Sequence, residues 1–75
     1  MDEFELEEKI RAAIPVKEIE VKDTTGGGDH FDVSITSPAF KGKTMIEQHR
    51  MIYDALGEAM KGPIHALSLK TKSSE

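Results

Sequence analysis

The chain has no cysteine and no tryptophan, one tyrosine and three phenylalanines in 75 residues. Without thiols it can neither staple itself with disulfides nor build a thiolate metal site of its own. Basic residues are also scarce: ten Lys and Arg stand against fourteen Asp and Glu, a formal net charge of −4. That deficit argues against a general binder of nucleic acid or anionic membrane, because phosphate contacts need clustered cations. No apolar run approaches the roughly 20 residues that cross a bilayer. The opening Met1, Asp2, Glu3, Phe4, Glu5, Leu6, Glu7, Glu8 is acidic, the reverse of a signal or transit peptide. Catalytic machinery is missing too: there is no Cys nucleophile, no supported Ser-His-Asp set and no paired carboxylates in an evident cleft, so an enzyme is not expected. The expectation is a soluble cytoplasmic module with one domain over 1–75, a core at about 2–71 and a polar tail at 72–75. A chain of this length buries only roughly 60% of its unfolded surface, so one small core must suffice.

What the chain does have is clear periodicity. Leu6, Ile10, Ala13 and Ile14 recur at helical spacing over 2–14, with Asp2 as N-cap, Glu5 three residues on, and Pro15 as the stop. Ile19 and Val21 alternate with charged residues to about position 23, as in a half-exposed strand. Gly26, Gly27 and Gly28 then force a loop. Phe31, Val33 and Ile35 alternate with Asp32, Ser34 and Thr36 in a second strand, antiparallel to the first. Ser37-Pro38 fits an N-cap with proline at the first helical position, opening one turn that runs through Phe40 and stops at Gly42. Thr44 and Glu47 form a capping box that starts the main helix. Met45, His49, Ile52, Tyr53, Leu56 and Met60 are expected on its inner face. Gly62-Pro63 ends it, and a last strand follows at about 64–71. A strand-helix-strand crossover makes that strand parallel to the second. The fold expected is α+β, in the order αββααβ, with a three-stranded mixed sheet covered by helices on one face.

Three places bear on chemistry. His65 stands at the mouth of the last strand, straight after a forced turn, and imidazole is one of few metal-binding groups in a chain without thiols. Composition alone favours a backbone-bonded structural histidine there. His49 lies on the apolar stripe and reads as a satisfied, partly buried residue, while Arg50 points off that stripe, towards a carboxylate or a partner. The run from Ser37 to Thr44 ends Gly-Lys-Thr as a phosphate-binding loop does. It has Ser where such a loop begins with Gly, and Pro38 removes an amide from the cradle, so nucleotide binding is not expected.

The motifs taken in order resemble the BolA-like family. They are Asp23 to Gly28, the strand Phe31 to Ser37, Phe40-Lys41-Gly42-Lys43, the run His49 to Tyr53, and the run Ile64 to Lys70. The resemblance covers about Ile19 to Thr71 and implies a fold similar to the class II KH arrangement. It also implies a non-enzymatic partner of monothiol glutaredoxins that shares a [2Fe–2S] cluster in iron sensing or cluster delivery. The glutaredoxin would supply a Cys and recruit glutathione, whose thiol is a further ligand. The isolated chain would hold no cluster. His65 stands at the family's ligand position. The second ligand comes from the loop between the first two strands, where Gly27 stands at a position that one branch fills with Cys. His30 is then the nearest imidazole and is assigned on chemistry; the competing reading is an exposed loop-edge histidine. A flexible Gly26 to Gly28 loop would let it swing towards His65. The Thr-Pro-x-x-Trp ending common in the family is absent. Histidine can replace Cys on one iron of such a cluster, and protonation would remove its lone pair. The runner-up is a KH-like nucleic-acid-binding regulator gripping the backbone with Lys41, Gly42 and Lys43, which would leave a local basic spot on an acidic protein. Whether the chain forms a homodimer is left undecided by its sequence.

Overall fold

The computed structural model describes residues 1–62, 64 and 66–74. Helix α1 spans Glu3–Ala13. Its start is fixed by a capping box: the Glu5 N–H donates to the Asp2 carboxylate at 2.8 Å, and the Asp2 N–H donates to the Glu5 carboxylate at 3.3 Å. These reciprocal bonds satisfy amides that a helix end leaves without partners. Strand β1 (Glu18–Asp23) pairs antiparallel with β2 (His30–Ser37), setting Ile19 opposite Ile35 and Val21 opposite Val33. Strand β3 (Ala66–Ser73) pairs parallel with β2, so the sheet order is β1-β2-β3 with β2 central. The mixed sheet and the parallel third strand are as the periodicity predicts.

The alternation in β2 makes one face of the sheet apolar. Phe31, Val33 and Ile35 are buried there with Leu6 and Ile10 of α1, Phe40, and Ile52 and Leu56 of the second helix. Each such side chain contributes about 1.5–3 kcal/mol of transfer free energy. The opposite face carries Glu20, Lys22, Asp32, Ser34, Ser68 and Lys70 and stays polar. Ser37 ends β2 and is fully buried; its hydroxyl donates to the Pro15 carbonyl at 2.6 Å and accepts the Ala39 N–H at 3.0 Å. That bond caps the short 3₁₀ turn Pro38–Phe40, with proline at its start as the sequence suggests.

Helix α2 spans Met45–Leu56 and opens with the expected capping box of Thr44 and Glu47. It ends earlier than the sequence reading has it. Gly57 adopts φ +48, and a 3₁₀ turn covers Gly57–Lys61. A positive φ suits glycine, which has no Cβ to clash, so the helix is capped at Gly57 and not at Gly62. The inner face is also narrower than expected. Ile52 and Leu56 are buried, but Met45 is 57% and Tyr53 40% exposed. Only the stripe that meets the sheet is covered. The last strand is shifted as well. Ile64 is buried ahead of it, with its N–H donating to the Ala59 carbonyl at 3.0 Å, and β3 continues through Lys72 and Ser73, which the sequence reading placed in a tail.

Candidate functional site

The glycine-rich loop between β1 and β2 is held by one carboxylate. Asp23 accepts the N–H groups of Thr25 (3.3 Å) and Gly26 (2.9 Å) on Oδ1 and that of Gly28 (2.9 Å) on Oδ2. The amide of Asp23 itself donates to the Glu3 carboxylate of α1 at 2.7 Å, which ties the helix to the loop. Thr25 Oγ1 donates to Asp29 Oδ1 at 3.1 Å, and the Thr24 N–H donates to the His30 carbonyl at 2.9 Å. Three glycines in a row thus form a shaped turn, not a free hinge. Gly28 has φ +76, and a Cβ there would lie 2.6 Å from the Met1 carbonyl oxygen. Gly27 is different: its φ is unstrained, and a Cβ would meet only side-chain atoms, Asp29 Oδ1 at 3.3 Å and Thr25 Oγ1 at 3.5 Å. A side chain at Gly27 therefore needs the Asp29 carboxylate to give by only a few tenths of an ångström.

His30 is the first residue of β2, with its side chain 44% exposed and Nε2 3.8 Å from Asp29 Oδ2. The strand fixes its backbone, which corrects the expectation of a histidine carried on a swinging loop. Its register partner is Ala66, whose N–H donates to the Asp29 carbonyl at 3.2 Å. His65, the residue before Ala66 in sequence, lies outside the described residues, as does Pro63 of the predicted forced turn. Among the described residues no group of three or more His, Cys, Asp or Glu side chains gathers to hold a metal ion. His30 fits as one donor in a site completed from elsewhere; it does not fit as the centre of a self-sufficient one.

The other sequence-predicted site lies at the opposite end of β2. Lys41, Gly42 and Lys43 connect the 3₁₀ turn to α2, with both lysines exposed and Gly42 at φ +77. The connection is fastened by backbone bonds from Lys41 to the Pro38 carbonyl and from Lys43 to the Phe40 carbonyl, and by Gln48 Nε2, which donates to the Lys43 carbonyl at 2.9 Å. Glu47 interrupts the basic spot. The Thr44 backbone and hydroxyl bonds hold its carboxyl below the usual range, with smaller help from Lys43 and Arg50. His49 is half-buried as expected, but its Nε2 finds no hydrogen-bond partner among the described residues, so it is not the satisfied histidine that the sequence predicts. The sequence reading missed the anchoring role of Asp23, although an Asp ahead of glycines is a recognised turn signal.

These elements define a small α+β domain of two α-helices and a mixed three-stranded sheet, in which the short helix expected after the second strand is the 3₁₀ turn Pro38–Phe40, with a carboxylate-held loop at the head of the central strand. The chain belongs to the BolA-like family: the model of the BolA-like protein family matches residues 8–75. It is 33% identical over 69 residues to the uncharacterized protein RP812 of Rickettsia prowazekii (strain Madrid E), covering 92% of this chain and 90% of that one. It is 38% identical over 73 residues to the DNA-binding transcriptional regulator BolA of Escherichia coli (strain K12), covering 88% and 70%. The solved BolA domain of SufE1 from Arabidopsis thaliana superposes with a TM-score of 0.89 at 35% identity, covering 96% of this chain and 91% of that one. The chain spans only 22% of the full SufE-like protein 1 of that plant, so similar domains occur within longer proteins as well as nearly alone. No helix among the described residues is long and apolar enough to cross a membrane.

Proposed function

We propose that this chain is a non-enzymatic partner of a monothiol glutaredoxin and shares with it a [2Fe–2S] cluster for iron sensing or cluster delivery in the cytoplasm. His65 is the chain's principal ligand and His30 its second; the glutaredoxin Cys and glutathione complete the set. The observation that carries the reading is the register: His30 pairs with Ala66, the residue that follows His65 in sequence, at the end of the sheet where the Asp23-held loop sits. The absence of cysteine supports it from another side, since two imidazoles hold such a cluster poorly without partner thiolates. When bound, the cluster supplies electron transfer or iron transfer. The chain's own residues supply shape: Asp23 sets the loop, β2 fixes the His30 backbone, and Glu3 ties both to α1. The nucleic-acid reading has less behind it, because the Glu47 carboxylate follows closely on Lys41 and Lys43 in the chain and feels the Lys43 charge, which breaks up a continuous basic stripe.

The test is an absorption and circular-dichroism spectrum of the complex co-expressed with a monothiol glutaredoxin. His65→Ala is expected to abolish the mixed-ligand spectrum or convert it to that of the glutaredoxin alone. His30→Ala should do the same if the loop-side ligand is His30, and Gly27→Cys should shift the spectrum towards an additional thiolate. A mixed-ligand spectrum that survives His65→Ala unchanged would reject the assignment.

A further inference from the structure

Two helix faces remain once the core and the loop end of the sheet are accounted for. On α1, Phe4 is 70% exposed, and Glu8 stands four residues on, one turn along the same face. The neighbouring acids are engaged: Glu5 closes the cap, Glu3 holds the Asp23 amide, and Glu7 pairs with Arg11 at 2.8 Å. Glu8 makes no hydrogen bond or ion pair among the described residues. On α2, Ile46 is 71% and Tyr53 40% exposed, and with His49 and Arg50 they line a shallow groove of about 280 Å³. These four positions follow the i, i+3, i+4, i+7 spacing of an amphipathic stripe, yet the stripe that faces the core is Ile52 and Leu56. The helix therefore carries a second, partly apolar stripe that no other described residue covers. Arg50 is exposed at its rim and forms no close ion pair among the described residues; its charge reaches Glu47, three residues back, only as a minor influence.

The two faces are complementary. Each has a large exposed apolar side chain followed four residues on by a charge that forms no close ion pair among the described residues, and the charges have opposite sign: Phe4 with Glu8, Ile46 with Arg50. We propose that a second copy of this chain docks here, with Phe4 of one copy in the Ile46–Tyr53 groove of the other and Glu8 beside Arg50. The contact stands apart from the metal-site reading and uses none of its residues. A single helix face on a single groove belongs to the weak, transient class of interfaces, below about 1,200 Å² of buried surface. Association is therefore expected only at high protein concentration.

Sedimentation equilibrium of the full chain, from micromolar to millimolar concentration and at low and high salt, tests the contact. The average mass should rise above the 8.3 kDa of the monomer as concentration increases, and fall back in high salt, because exposed ion pairs are screened. Phe4→Asp and Ile46→Asp should each hold the chain at monomer mass with unchanged circular dichroism, since both side chains are exposed in the monomer. Glu8→Arg alone and Arg50→Glu alone should each weaken association by roughly three- to tenfold, in keeping with one exposed pair turned repulsive. A chain carrying both changes should recover the wild-type affinity. A monomer at every concentration, association indifferent to Phe4→Asp and Ile46→Asp, or a double charge swap no tighter than the single ones would overturn the proposal.

Discussion

The two loops that flank β2 are built on different principles. Before the strand, Thr24–Asp29 is organised by a side chain: the Asp23 carboxylate gathers three amides and is linked to α1 through Glu3. After it, the Lys41–Lys43 connection is organised by backbone bonds and by the next helix's Gln48, whose amide is oriented by a 2.6 Å bond with Thr71 Oγ1. A carboxylate can impose a shape on glycines that have little preference of their own, and it couples that shape to a distant helix. A turn held by its own backbone bonds together with one amide does not hang on a single charged group and tolerates changes around it. The first loop is therefore the one whose geometry a single substitution can erase.

The sharpest way to break the comparison is Asp23→Ala. It leaves three loop amides without their acceptor, and hydrogen bonds to charged groups are worth more than neutral ones. A loss of about 2 kcal/mol is expected in urea denaturation, together with a weaker mixed-ligand complex. Thr44→Ala, at the other loop, should cost about 1 kcal/mol as an ordinary N-cap loss and leave the cluster spectrum untouched. Equal effects of the two changes on the complex would erase the distinction between the loops.

The smallest expected effect is acid sensitivity at the second loop. The Glu47 carboxyl is held below its ordinary value of 4.5, first by the Thr44 bonds. A depressed carboxylate stabilises the fold fully above its unfolded value and loses that contribution as pH falls through the lower folded one. Helical signal from α2 should therefore decline below pH 4.5, and Glu47→Gln, which can still accept the Thr44 amide, should be less responsive. Parallel acid curves for the two proteins would assign the loss to other groups.

How much of this was legible in the sequence follows from the range of each interaction. Both capping boxes span three residues and were readable directly. So was the alternation of β2, because one face of that strand is buried along its length. The end of α2 was not readable from the strongest breakers, because Gly57 lies inside a periodic stretch and stops the helix ahead of Gly62. Met45 and Tyr53 fall within a plausible apolar arc, but the sheet covers a narrower one. Lys72 and Ser73 look like a tail, since an edge strand is held by backbone bonds that composition does not report. At the site, His30 was visible as a residue type, but its fixed strand position depends on pairing with Ala66. That Glu8 and Arg50 form no close ion pair among the described residues is a property of the assembled surface and has no local signature.

The parallel pairing of β2 with β3 has a consequence in the order of assembly. β1 and β2 meet across the short loop Thr24–Asp29, whereas His30 meets Ala66 across 36 positions of chain. Closing the longer loop costs more chain entropy before any contact repays it. The hairpin with its carboxylate-held turn is thus the natural early nucleus. The end of the sheet where His30 meets the third strand is completed only when the whole crossover has closed.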